Sequence, residues 1–304
     1  MRNVLRYMHH IRLLAIIGLI LGFAATAARA DDGKAISAIE HGQRVFSCGH
    51  SFHVFVPGIL GDIAKGDGIK DHVQVGMSGI GGARIIQHWD VAEEKNKAKE
   101  ALRSGKVDVL TMSPIFLPDD GIAKFTELAL EHNPKIRITI QEFWMPFDRG
   151  VTEFPPKDRP KEIDRNSKTP IELRQMHAAY FKMMDDHVRE LNKKHDRQAL
   201  FVVPVGQAVI ALRERIIAGT APGLKTQGEL FTDPIGHVKQ PVQALNAYCH
   251  YAVIYRKSPV GLPVPGVLKK AQNQEEVESL NRLLQELAWD AVRQHPLSGV
   301  KSEK

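Results

Sequence analysis

The sequence predicts an α/β fold in which a parallel sheet is covered by helices on both faces. Three observations carry this. Short apolar runs alternate with longer amphipathic stretches, the pattern of strand, helix, strand. The short runs are rich in β-branched residues, as in His72 to Met77 and Ile136 to Gln141. The length left after the N-terminal segment suits one large domain, and no internal repeat is visible.

The elements follow in order. Val45 to Cys48 is the first strand, and Phe52 to Lys65 a helix bent by Pro57 and Gly58. His72 to Met77 is the second strand and Val91 to Arg103 a charged helix. Val107 to Met112 is the third strand, followed by a helix over Ile122 to Glu131. Ile136 to Gln141 is the fourth strand, and Ile171 to Lys194 a long helix. Leu200 to Val205 is the fifth strand. Helices over Gln207 to Ile217, Pro241 to Arg256 and Glu275 to Val292 complete the chain. Trp144 to Thr169 breaks the rhythm with prolines and charges and reads as an insertion (144–169) after the fourth strand. It either lines a cleft at the carboxyl end of the sheet or is a solvated loop.

Residues 1–30 read as a signal peptide. Arg2, Arg6 and Arg12 precede the apolar run Leu13 to Phe23, and Ala28-Arg29-Ala30 offers a cleavage site. The expected mature domain is 31–304, beginning at Asp31 and exported to the periplasm or medium; the alternative is an uncleaved anchor. Removing the four arginines of that acid-free segment takes the formal net charge from +6 to +2. That leaves no basic field for nucleic acid, and no later stretch is apolar enough for stable membrane insertion. Cys48 and Cys249 lie in apolar patterns and are expected as buried free thiols, although export permits a disulfide.

Reactive groups collect outside the carboxyl ends of parallel strands. Ser51 follows the first strand in Phe46-Ser47-Cys48-Gly49-His50-Ser51-Phe52, either as a nucleophile whose N–H opens a helix or as an ordinary helix cap. Gly76-Met77-Ser78-Gly79 closes the second strand, with Gly81-Gly82 beyond it, and Ser113 closes the third. Asp233-Pro234-Ile235-Gly236-His237 sets a carboxylate and an imidazole on one loop, before a helix with an apolar stripe through Leu245, Tyr248, Cys249 and Ala252. Serine, histidine and aspartate supply nucleophile, base and orienting acid.

In these blocks the chain resembles the SGNH/GDSL-type hydrolases, in particular exported bacterial members. Gly49-His50-Ser51-Phe52 is similar to the first block, with His50 where aspartate is usual. Gly76-Met77-Ser78-Gly79 is similar to the second, and Asp233 to His237 to the last. The runs Val203 to Gln207 and Tyr251 to Pro263 also resemble such members, so the likeness spans about Gln43 to Pro263. The resemblance implies a flavodoxin-like three-layer α/β/α fold with strand order 2-1-3-4-5. It implies an acyl-enzyme esterase without a cofactor, with Ser51, His237 and Asp233 catalytic. Ser51, Gly79 and Ser113 are its expected oxyanion donors. Trp89, Trp144 and Gln207 are the candidate substrate contacts, the tryptophans as platforms for a sugar ring carrying an O-acetyl ester.

Two positions depart from the family. Ser113-Pro114 stands where an asparagine donor is usual, and Asp233 precedes His237 by four residues rather than three. The offset predicts a looser hold on the imidazole. The rival readings are a non-catalytic carbohydrate- or ligand-binding protein, and a metal hydrolase using His50, His53 and Asp119 or Asp120.

Overall fold

The computed structural model describes residues 37–149, 157–269 and 273–300, all within one compact unit, 35–304. The signal-peptide reading falls outside the described residues. Five parallel strands form one sheet in the order β2-β1-β3-β4-β5. They are β1 (Arg44–Gly49), β2 (Val73–Gly79), β3 (Val109–Met112), β4 (Arg137–Gln141) and β5 (Leu200–Val203). Strands β1, β3 and β5 are buried along nearly their whole length because helices cover both of their faces. Strand β2 is an edge, which leaves Val73, Val75 and Met77 about two-fifths exposed. The fold is therefore a three-layer α/β/α sandwich.

Helix α1 (Val56–Gly66) buries Val56, Leu60, Ile63 and Ala64, spaced to form one face. It packs against a later helix over Gln240–Tyr255, which is buried on nearly every side. That helix in turn packs on the amphipathic helix Gln274–Gln294. The long helix Pro170–Lys194 starts at a Thr169/Glu172 capping box with proline at its first position. On its side of the sheet it meets the helix Asp120–His132 through the ion pair Lys194–Glu127.

Three boundaries differ from the sequence pattern. The expected Val91 to Arg103 helix is α-helical only over Lys97–Arg103, with a single 3-10 turn at Glu93–Lys95 before it. Asn96 stops it, accepting from Lys99 N–H and donating through Nδ2 to the carbonyls of His88 and Trp89. A short helix, Ile85–Trp89, occupies a stretch to which the sequence pattern assigns no element. Its first amides are capped by Asp119, whose carboxylate accepts from Ile85 at 2.7 Å and Ile86 at 3.0 Å. Finally, α1 begins at Val56, because Pro57 sets the first helical turn there; residues 51–55 form tight turns instead. Cys48 and Cys249 are both buried and free, with burial pushing both thiols well up.

Candidate active site

Strand β1 delivers Ser51. The strand ends at Gly49, where a Cβ would come within 2.8 Å of the His53 side chain. The chain then folds back at once, with His53 and Val54 N–H both donating to His50 C=O at 2.8 and 3.1 Å. This sharp turn lifts the Ser51 side chain above the carboxyl end of the sheet, where reactive groups gather.

The last loop delivers its two partners. Asp233 Oδ1 accepts from Gly236 N–H at 2.9 Å and His237 N–H at 3.1 Å, which curls the loop around the carboxylate. Gly236 has φ +102, a conformation that favours glycine. The extra residue between Asp233 and His237 is absorbed in this curl. Asp233 Oδ2 lies 2.5 Å from His237 Nδ1, and His237 Nε2 lies 2.8 Å from Ser51 Oγ. Burial disfavours the Asp233 charge, yet bonds from His237 and Gly236 hold its carboxyl below the usual range. The charged acceptor holds an imidazole proton on Nδ1 and leaves Nε2 facing the serine.

The loop is held from behind by Trp144, expected instead as a substrate contact, and by arginine and aspartate residues that the sequence did not single out. Trp144 Nε1 donates to Gly236 C=O at 2.8 Å, and Arg165 Nη2 to Pro234 C=O at 2.8 Å. Arg165 is buried against Asp148, which also receives both terminal nitrogens of Arg213, at 2.8 and 2.6 Å. The Phe52 ring stacks on Trp144 at 4.5 Å and meets the His237 imidazole edge-on at 5.6 Å. A charge-rich insertion gives no sign of which arginine turns inward, because that depends on pairing with Asp148, 17 residues away in the same insertion, and on Arg213, 48 residues beyond Arg165.

Ser51 and His237 open onto a cleft of about 340 Å³. Phe52, Ile115, Phe143, Pro146 and Ile235 give it apolar walls, and Gly81, Gly82, His50 and Arg159 complete it. The insertion thus contributes Pro146 and Arg159 to the cleft. Among the described residues, the N–H groups of Ser51, Gly81 and Gly82 donate to no protein acceptor.

The other expected residues lie elsewhere. Ile80 N–H donates to Gly49 C=O, so strand alternation turns the Gly79 N–H to the opposite, outer edge of β2. Ser113 is fully buried; its N–H is taken by Cys48 C=O at 3.0 Å and its Oγ meets His50 Nε2 at 3.3 Å. Trp144 is buried in its stack with Phe52, and Trp89 packs edge-on against Phe125 with Lys99 over its ring. Neither offers a face to a sugar. Gln207 donates to both Glu142 oxygens, at 3.1 and 3.3 Å, away from the cleft lining.

The residues of the metal reading do not converge. Asp119 is spent on backbone amides, and His53 Nδ1 sits 2.7 Å from Gln141 Oε1. Glu142, Asp185 and His295 do bring possible ligand atoms together. Burial opposes charge on His295, but its bonds to Asp185 and Glu142 push it up to about 9. Leu297 N–H donates to His295 Nδ1 at 3.2 Å, so the ring proton on Nε2 faces Glu142 at 3.5 Å and Asp185 at 3.3 Å, a hydrogen-bonded cluster away from the cleft lining.

His50, His53 and His177 are buried and neutral. Burial lowers His53 and His177 to about 4, and burial with neighbouring histidines lowers His50 to about 3. Their folded values lie below the unfolded one of about 6.5, so the unfolded chain binds more protons in acid. The contribution of these three histidines is thus expected to be intact above about pH 6.5 and to fall steadily towards pH 4. Thermal melts across that window check this; a Tm that is flat or rises on acidification contradicts it.

A parallel α/β/α sandwich with a serine, histidine and aspartate in sequential contact defines the class of fold and site. No family model matches the chain, and no curated protein does. Among solved structures, a DUF4886 family protein from Bacteroides uniformis ATCC 8492 aligns with a TM-score of 0.54 at 13% identity, covering 82% of this chain and 94% of its own. A protein assigned by likeness as a GDSL-like lipase, from Parabacteroides merdae ATCC 43184, aligns at 0.41 and 13% identity, over 71% of this chain and 96% of its own. At such identities the first likeness speaks for the fold alone.

Proposed function

We propose that this chain is an exported serine esterase of the SGNH/GDSL type. The observation that carries the reading is the unbroken run of contacts from Asp233 through His237 to Ser51. Ser51 Oγ attacks an ester carbonyl while His237 Nε2 takes its proton. Asp233 holds the ring and stabilises the imidazolium. The N–H groups of Ser51 and of Gly81 or Gly82, rather than that of Gly79, receive the oxyanion. His237 returns the proton to the leaving alcohol, then activates water to release the acid. No step needs a cofactor.

The carboxylic ester is the reading the cleft supports; an O-acetylated sugar loses support with the burial of Trp144 and the packing of Trp89. A fluorophosphonate probe tests the proposal, because only an activated serine reacts. Labelling confined to Ser51 supports it. Absence of labelling, with no turnover of acetyl or longer esters, favours the non-catalytic reading. The absent asparagine donor speaks for that alternative, since one oxyanion donor contributes roughly a hundred- to a thousandfold in rate. Export rests on the N-terminal sequence, and a secreted product beginning at Asp31 is expected on N-terminal sequencing; one beginning at Met1 contradicts it.

A further inference from the structure

The same cleft holds a feature that the ester-hydrolase reading does not use, and which narrows the substrate if that reading stands. Most of its wall is apolar, from side chains such as Phe52, Ile115 and Phe143. Its polar side chains are nearly all committed. Ser51 and His237 bond to each other. His50 Nδ1 accepts from Phe52 N–H at 3.3 Å, which leaves its Nε2–H for Ser113 Oγ at 3.3 Å. Burial keeps that imidazole neutral.

Arg159 is the exception. It lines the cleft and is exposed, and among the described residues it has neither an ion pair nor a hydrogen bond. Behind the same loop, Arg165 and Arg213 are offset by Asp148, and Asp233 adds a second negative charge. Among the described residues, Arg159 is the one of these three guanidinium groups that no carboxylate pairs, its neighbour Asp158 being taken by Arg149, and it lines the cleft. At this exposed rim water and salt screen the charge, so its attraction for an anion is modest and salt-sensitive. Guanidinium also matches carboxylate and phosphate geometry through paired N–H donors.

We infer that the cleft selects esters carrying an anionic group, with Arg159 as the residue that binds it. The ligand has one carbonyl at Ser51, an apolar body along the phenylalanine walls, and a carboxylate, phosphate or sulfate at the rim. The anion belongs to either the acyl or the alcohol half.

Two matched pairs of esters distinguish these halves. On the acyl side, 4-nitrophenyl hydrogen glutarate is compared with 4-nitrophenyl pentanoate. On the alcohol side, 4-acetoxybenzoate is compared with 4-acetoxytoluene. The anionic member of at least one pair is expected to show kcat/KM roughly tenfold higher, the scale of a charged hydrogen bond at a partly exposed rim. That ratio should fall towards one in Arg159→Met, invert in Arg159→Glu, and shrink in high salt. Equal or neutral-favouring ratios in both pairs, or a ratio that Arg159→Met leaves intact, overturn the inference. Calorimetric binding of both anionic esters to Ser51→Ala, with and without Arg159→Met, decides the matter without turnover. Weaker binding in the double variant supports the anion site, and equal binding overturns it. Fluorophosphonate labelling reports separately on whether the chain is a serine hydrolase.

Discussion

Ser51→Ala is expected to lower kcat on an accepted ester by about four to six orders of magnitude, with the fold unchanged. The geometry explains the size. Ser51 Oγ and His237 Nε2 are 2.8 Å apart, so the two side chains act as one unit in proton transfer. His237→Ala should therefore cost nearly as much, and Ser51→Ala/His237→Ala little more than either alone. Additive losses would show that the residues act independently and would sink the relay. Asp233→Asn is the sharper test. The four-residue offset alone predicts a modest cost. The 2.5 Å contact predicts roughly a ten-thousandfold loss, because an amide in that place favours the wrong imidazole tautomer. Steady-state kinetics with Tm and circular dichroism as fold controls separate these outcomes. Full activity in Ser51→Ala would remove the nucleophile assignment altogether.

The largest effect on stability is expected from Asp148→Ala. The Asp148 side chain is 3% exposed and bonds Arg165 at 2.7 Å and Arg213 at 2.8 and 2.6 Å. Removing it leaves two buried guanidinium groups with no anion between them. Breaking a buried pair in this way costs about 3–5 kcal/mol. In a domain of this size that is a Tm loss of roughly 6–20 °C. Asp148→Asn should retain the shape and lose somewhat less. Both variants should also lose kcat, because Arg165 holds the Pro234 carbonyl and so the loop that carries Asp233 and His237. A Tm within 2 °C of the wild type by scanning calorimetry (about the effect of 1 kcal/mol or less) would show that the cluster is not a structural clamp.

Strand β1, the glycine at its end and the late Asp/His loop were legible in the sequence, because each follows from local rules. Apolar β-branched runs make strands, glycine permits the turn, and short-range spacing puts a carboxylate near an imidazole. The strand order and the three layers followed from the family resemblance, and the sheet has that order. Where the sequence reading missed, the missing information was orientation. Gly79 stands one residue from Ile80, yet alternation along β2 sends its N–H to the outer edge. Trp89 and Trp144 have the composition of sugar platforms, but packing on Phe125 and Phe52 takes up their faces.

By itself, then, the sequence determined the order of elements and which residue types stand at the ends of β1 and of the last loop. Only the tertiary structure decided that Ser51 and His237, 186 residues apart, meet at hydrogen-bond distance. It also decided that the curl around Asp233 absorbs the extra residue, and that Arg165 turns inward while Arg159 faces the cleft. The reason is physical. Propensity and spacing act over a few residues, whereas a side chain's direction and neighbours are fixed by the packing of segments distant in the chain.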